Sequence, residues 1–329
     1  MKPVKWGVLG AANFAREHMA RAIHAAEGAE LYALATSDPE KAKGFQAFCP
    51  GLKVHASYEA LLSDPEVEAL YIPLPNHLHI DWSLKALAAG KHVLCEKPIA
   101  LRAGEIDPLI AARDRSGLFA TEAFMIVQHP QWQRAREWLE AGEIGQLRHV
   151  DAQFSFCLAD TGNIRNRPET GGGSLPDIGV YTFGSARWVT GAEPVNLRSQ
   201  IRRENGVEVF AQVAGVMEGR GHRFSYASMT SMRLYNRQCV TFQGDKGMIR
   251  LEGGPFNANV NDLAEVELHR NGNAVLVERF PGVNQYVLQV QAFGRHIRDG
   301  APYAWTLEDA RASQMMIDMA YDHAEEFAL

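Results

Sequence analysis

Cysteine is scarce in this chain. Four residues (Cys49, Cys95, Cys157 and Cys239) are scattered through 329 positions, without the close spacing of a metal-ligand set. Thiols this sparse read as reduced and structural, the pattern of a cytoplasmic protein rather than of a disulfide framework. No apolar run is long enough to cross a bilayer. Met1-Lys2-Pro3-Val4-Lys5 runs directly into a strand-like Trp6-Gly7-Val8-Leu9, with no h-region of a signal peptide. Excess positive charge is missing too. The formal charge is −6 and no Lys/Arg stripe stands out, so nothing favours a nucleic-acid partner. The 12 histidines form no metal-type constellation, and His77 and His79 lie too close in sequence to share a helix face, so no metal site is expected. Repeats and low-complexity segments are likewise lacking. What remains, 46% hydrophobic and 22% charged over 329 residues, is a folded globular chain of two-domain length.

The first third alternates short apolar runs with helix-length amphipathic ones. Positions 4–9, 30–36, 69–72, 92–95 and 118–122 read as strands, and 14–27, 39–48, 77–89 and 101–116 carry helical periodicity. Such alternation predicts parallel βαβ units and a doubly wound α/β sheet. Gly90 is placed to cap the end of the third of these helices. After about Ala123 the texture changes. A helix at 130–141 leads into a long strand at 147–156 and a polar, glycine-rich loop from Asp160 to Gly173. A helix at 175–190 follows, then a series of strands from Val195 to about Phe280. Two helices close the chain, 285–298 and 307–327, the second opened by a Thr306-x-x-Asp309 capping pattern. Residues 1–123 are therefore expected to form a dinucleotide-binding domain, and 124–329 an α+β domain with a large open, mostly antiparallel sheet.

Gly10-Ala11-Ala12-Asn13-Phe14 sits between the first strand and the first helix, where a dinucleotide fold seats its pyrophosphate against a helix N-terminus. Ala12 and Ala15 replace the second and third fingerprint glycines. The next strand ends Thr36-Ser37-Asp38-Pro39, with Lys41 beyond it. Two hydroxyls and a cation suit a 2′-phosphate, which favours NADP and leaves NAD open; Asp38 is alternatively the cap of the helix that begins at Pro39. The strand 69–72 leaves through Pro73-Leu74-Pro75-Asn76-His77-Leu78-His79, where Asn76 is placed either to cap the next helix or to help floor the nicotinamide. The strand 92–95 ends in Glu96-Lys97-Pro98, which aims an ammonium beyond a carboxyl-terminal strand end.

Together with Gly171-Gly172-Gly173-Ser174-Leu175-Pro176-Asp177-Ile178-Gly179-Val180-Tyr181, these segments resemble the Gfo/Idh/MocA oxidoreductase family along essentially the whole chain. The resemblance implies an N-terminal Rossmann domain and a C-terminal α+β domain whose open sheet joins a homodimer or homotetramer. It also implies a nicotinamide cofactor, a sugar-like or polyol substrate, and Lys97 at the reaction centre. Candidate cofactor contacts are Gly10, Ala11, Ala12, Asn13, Phe14, Thr36, Ser37, Lys41, Pro73, Leu74, Asn76, His79, Glu96 and Lys97. Where many members carry histidine after the Asp-x-Gly-x motif, this chain has Tyr181. In that respect it is similar to the branch holding glucose–fructose oxidoreductase, dimeric dihydrodiol dehydrogenases and NADP-dependent xylose dehydrogenases. That branch often has Tyr-Arg-His where this chain has Ile126-Val127-Gln128.

Oxidising a carbinol leaves a hydroxyl proton to be accepted. A free tyrosine titrates near pH 10, and a lysine ammonium close by favours its anion. Tyr181 is thus the expected proton acceptor with Lys97 as electrostatic partner, the reverse assignment standing beside it, and Asp177 orients a sugar hydroxyl or the lysine. Arg165, in Asn163-Ile164-Arg165-Asn166-Arg167, belongs either to a loop closing over substrate or to a solvated one. Asp160, His129 and Tyr235 are further candidates, while Trp132, Trp138 and Trp188 read as core or interface. The expected activity is a pyranose or cyclic-polyol dehydrogenase. A nicotinamide-assisted glycosidase, a dihydrodiol dehydrogenase and a cofactor sensor without turnover are the alternatives.

Overall fold

The computed structural model describes residues 2–260 and 263–327; Met1 and positions 328–329, the outer ends of the two expected domains, lie outside them. The chain divides into two compact units, Met1–Met125 with Asn284–Ala310, and Ile126–Val283 with Arg311–Leu329.

The first unit is built on six parallel strands: β1 (Val4–Leu9), β2 (Ala29–Ala35), β3 (Lys53–His55), β4 (Ala69–Ile72), β5 (His92–Cys95) and β6 (Ala120–Glu122). Their order, β3-β2-β1-β4-β5-β6, reverses between β1 and β4. A ligand crevice is expected at that reversal, outside the strands' carboxyl ends. β4 is buried at every residue, as a strand covered on both faces must be. β3 escapes sequence reading because its three residues, Lys-Val-His, carry no periodicity and are largely exposed. The helix read at 14–27 begins as a π-turn over Ala15–Met19 before the α-helix Ala20–Ala25. Likewise a 3-10 turn, Ala103–Ile106, precedes the helix Asp107–Ser116. Gly90 adopts φ +77 just past the helix His79–Ala88, the left-handed exit that glycine supplies. The helix Gln285–Asp299 belongs to this unit: its Phe293 packs against Trp6 of β1 at 4.8 Å between ring centroids and against Phe119 at 4.9 Å. Asn284 caps that helix by accepting from Tyr286 N–H and Val287 N–H.

The second unit carries β7 (Leu147–Cys157), β8 (Glu193–Glu204), β9 (Val207–Gly219), β10 (His222–Ser231), β11 (Arg233–Gly244), β12 (Gly247–Leu251), β13 (Glu265–Arg270), β14 (Ala274–Arg279) and β15 (Ala324–Glu326). They form one mixed sheet in the order β14-β13-β12-β11-β7-β10-β9-β8-β15. Only the pairs β7/β10 and β8/β15 are parallel among the described strands, so the sheet is mostly antiparallel. Its core holds Trp132, Phe154, Phe183, Tyr226, Phe242 and Phe256, with Phe256 stacked on Trp132 at 5.6 Å and on Phe154 at 5.1 Å. No helix among the described residues is long and apolar enough to cross a membrane.

Candidate functional site

In the first unit, four strand-end loops surround one cleft of about 490 Å³. Gly10, Ala11 and Ala12 follow β1. Thr36, Ser37, Asp38 and Lys41 follow β2, Ala56–Glu59 follow β3, and Pro73, Leu74 and Pro75 follow β4. Eight of the sequence candidates (Gly10, Ala11, Ala12, Thr36, Ser37, Lys41, Pro73 and Leu74) therefore come together at the strand-order reversal. Gly10 has φ +113, and a Cβ there would stand 2.9 Å from Leu74 Cδ2. The turn thus has no room for a side chain at Gly10, and Gly10, Ala11 and Ala12 line the cleft with small residues, so the residues present fit a dinucleotide.

At the rim, Asp38 is the helix cap. Its Oδ1 accepts from Glu40 N–H at 3.0 Å, with Pro39 at the first helical position. Thr36 Oγ1 accepts from Asp38 N–H at 3.1 Å, which ties the turn together. These bonds leave the exposed Ser37 and Lys41 as the rim's outward polar groups on this loop.

Other candidates lie elsewhere in the unit. Asn13 and Phe14 are exposed beyond the turn, Phe14 packing edge-on to Tyr286 at 5.8 Å. Asn76 opens a 3-10 turn, Asn76–Leu78, ahead of the helix His79–Ala88. His79 needs correction as a cofactor contact. It is completely buried, with Nδ1 2.7 Å from Pro98 O and Nε2 2.7 Å from Leu74 O. Burial lowers its pKa to about 4 against the two carbonyls, which favour the charged ring; a neutral ring, with one N–H, donates to one of them.

Beyond β5, Glu96 accepts from Tyr71 O–H at 2.5 Å and from the Lys97 backbone N–H at 3.3 Å. Burial and the facing carboxylate push the Tyr71 phenol well above its ordinary range. Behind this segment lies Glu122, which sequence reading passed over. Only 2% exposed, it accepts from Ile99 N–H at 2.9 Å and from the Trp305 indole at 3.0 Å. Burial raises its carboxyl to about 7 despite those bonds and the nearby Lys97 charge. A lone acid inside the apolar run 118–127 was the available signal.

In the second unit, a π-turn over Leu175–Gly179 continues as the helix Val180–Thr190, so Asp177 and Tyr181 share one helical segment. Tyr181 packs against Phe256 at 5.5 Å and Phe154 at 5.8 Å. Asp177 Oδ2 accepts from Arg165 Nε at 2.8 Å, which brings two candidates together. Arg165 stands in a tied loop: Gly172 N–H and Gly173 N–H donate to Arg167 O and Arg165 O, both at 3.0 Å, and Asn166 donates to Leu158 O and Asp160 O. Glu208, another residue without a sequence signal, holds the start of the segment. It is 1% exposed and accepts from Ser174 O–H at 2.5 Å, Leu175 N–H at 2.9 Å and Tyr321 O–H at 3.3 Å. Burial raises its carboxyl.

The weaker candidates have structural surroundings. His129 is buried, caps the helix Pro130–Glu140 through Gln131 N–H, and has its pKa lowered by burial to about 4. Tyr235 is 91% exposed, and Asp160 accepts from Gly162 N–H. Trp132 and Trp138 are buried. Among the described residues no group of three His, Cys, Asp or Glu could hold a metal ion.

Residues 4–124 match the GFO/IDH/MocA oxidoreductase family, NAD-binding Rossmann fold, and residues 132–250 match the GFO/IDH/MocA C-terminal domain. The chain is 34% identical to a D-xylose 1-dehydrogenase (NADP(+)) of Haloferax volcanii, over 97% of each chain. It is also 34% identical to a dTDP-3,4-didehydro-2,6-dideoxy-alpha-D-glucose 3-reductase of Saccharopolyspora spinosa, over 91% of this chain and 89% of that one. Among solved structures, a 3-ketoreductase of Actinomadura kijaniata in complex with NADP and TDP-benzene superposes with a TM-score of 0.88 at 28% identity, covering both chains completely. That protein has also been crystallised with one lysine or one tyrosine replaced.

Proposed function

The chain belongs to the Gfo/Idh/MocA oxidoreductase family, and on that basis we propose that it is an NADP-preferring dehydrogenase or reductase of a pyranose sugar or related cyclic polyol. The observation that carries this reading is the 490 Å³ cleft at the reversal of strand order, with the Gly10-Ala11-Ala12 turn in its wall and Ser37 and Lys41 at its rim. Asp38 on that rim loop caps the next helix through Oδ1, and Ser37 and Lys41 add a hydroxyl and a cation for a 2′-phosphate.

The nicotinamide, when bound, supplies the hydride chemistry. This chain's residues manage the proton and the charge. Lys97 is the donor to the substrate oxygen, and Tyr181 is the residue whose Oη accepts the hydroxyl proton in the oxidative direction. Asp177 and Arg165, paired at 2.8 Å, present an acceptor and donors to ring hydroxyls. The assignment gains support from the 3-ketoreductase, whose replaced lysine and tyrosine are separated along its chain by the same number of residues as Lys97 and Tyr181. The same reading takes the protein as a cytoplasmic homodimer or homotetramer joined through the nine-stranded sheet.

A second substrate form, a nucleotide-linked ketosugar, is favoured by the similarity to the deoxysugar 3-reductases. The test is a panel of free aldoses, dihydrodiols and dTDP-linked sugars, assayed with NADP and NAD in both directions by nicotinamide absorbance. Turnover of a sugar that vanishes in Lys97→Ala while cofactor binding persists is the expected result. A near-normal rate in Lys97→Ala removes the lysine from the mechanism. Product formed without net change in the nicotinamide would favour the glycosidase chemistry instead.

A further inference from the structure

We propose that Glu122 is a positioning residue for Lys97, its buried carboxylate fixing the main chain that leaves the lysine and lending the ammonium a negative charge. The inference rests on Lys97 being the reacting cation. Glu122 closes β6 in the interior, 2% exposed. Oε1 accepts from Ile99 N–H, two residues past Lys97, at 2.9 Å, and Oε2 accepts from the Trp305 indole at 3.0 Å. The tryptophan is held in turn, because its carbonyl accepts from Thr121 O–H at 2.7 Å, beside Glu122. On the other flank, the carbonyl of Pro98 meets the buried His79 ring at 2.7 Å. The Pro98–Ile99 peptide, next after Lys97, is therefore held at its carbonyl by one buried polar group and at its N–H by another.

A hydrogen bond to a backbone amide alone does not call for a buried anion. The carboxyl group takes the Ile99 N–H on one oxygen and the Trp305 indole on the other, two acceptors where an amide side chain has one, and it bears a desolvation penalty there. The groups within electrostatic reach of Glu122 are Lys97 and Glu96 beyond β5 and the Cys95 thiol within it. Of these Lys97 is the cation, and the one that stabilises the charged carboxylate. Burial acts against it, leaving Glu122 poised near neutrality. A carboxylate kept there at such expense holds two donors at once and stands within electrostatic reach of the lysine.

The test compares full-length wild type with Glu122→Gln, Trp305→Phe and Lys97→Ala. NADP affinity, kcat and KM for the best substrate of the panel are measured from pH 5 to 10. Acylation of Lys97 in the cofactor-free protein is followed against pH by mass spectrometry, with an exposed lysine, Lys85, as internal reference. Glu122→Gln is expected to keep NADP affinity and KM within about threefold and to lower kcat by about tenfold or more. It should also displace the pH profile of kcat, the buried acid that titrates near 7 being gone, and change the rate of Lys97 acylation. A loop merely loosened would raise the acylation rate without displacing the kcat profile. Trp305→Phe, which keeps the carboxylate but removes a donor to it, is expected to shift both in the same direction by less, and decides the question if the glutamine variant does not fold. Unmoved pH profiles with wild-type kcat overturn the inference. Those profiles together with an inactive Lys97→Ala sink the role of Glu122 alone, whereas an active Lys97→Ala sinks the reading beneath it.

Discussion

Replacing Gly10 with alanine separates two costs that are usually confounded. At φ +113 an alanine is strained by about 1–3 kcal/mol. Its methyl would also come to 2.9 Å from Leu74 Cδ2 and 3.4 Å from Tyr58 Oη, at the wall of the cleft. The leucine end can swing aside, so the packing part of the cost is small, but methyl or displaced leucine then takes room from the cofactor. Gly28 is the control, with φ +79 and nothing within 4 Å of a built Cβ. Gly28→Ala carries backbone strain of about 1–2 kcal/mol and no obstruction. Urea midpoints should therefore fall for both variants. NADP affinity, measured by fluorescence titration of folded protein, should drop at least about tenfold for Gly10→Ala, about 1.4 kcal/mol, and stay unchanged for Gly28→Ala. Wild-type affinity in Gly10→Ala would refute the placement of the cofactor over this turn, as would an equal loss in both variants.

Lys41→Ala should weaken NADP by about tenfold while leaving NAD within about twofold, narrowing the preference read from the Kd ratio; an unchanged ratio removes Lys41 from 2′-phosphate recognition. Tyr181→Phe should lower kcat by about 100-fold or more with KM within a few-fold, the packing on Phe256 and Phe154 being kept, and a rate near wild type would transfer the base role away from the phenol. Stability should fall with acid. His79 and His129 are held near 4 against an ordinary 6.5, so the unfolded chain takes up protons the native one refuses, and each contributes up to about 3 kcal/mol that is complete above pH 6.5 and lost as pH falls through 4. Glu122 runs the opposite way, its folded pKa near 7 against 4.5 favouring the native state in acid and ceasing to as pH rises through 7. Urea midpoints at pH 7.5 and 4.5 should show a net acid loss that shrinks in His129→Gln; a flat profile would show that the imidazoles are solvated.

Much of the first unit was legible because its signals are local. Hydrophobic runs at 4–9, 69–72 and 92–95 read as buried strands whatever packs on them, and the Asp38-Pro39 and Thr306-x-x-Asp309 pairs write their own helix starts. The turn at Gly10, the rim residues Ser37 and Lys41, and Glu96-Lys97-Pro98 stand at strand ends, where a doubly wound sheet delivers its ligand groups. Less visible were three-residue β3, which pairs by neighbours rather than pattern, and the π-turns before Ala20 and Val180, whose apolar spacing imitates an α-helix.

Chain order and side-chain chemistry determined the alternation of strands and helices, the change of texture after residue 123, and which residue types reach the ends of the strands. Packing alone decided that the helix Gln285–Asp299 returns to the first unit, because Phe293 finds its aromatic partners in Trp6 and Phe119, which lie far away in sequence. It likewise turned His79 from a ligand contact into a brace between two carbonyls, and made Glu122 and Glu208 buried anchors. Burial and hydrogen-bond partners are properties of contacts between distant segments, and no periodicity along the chain encodes them.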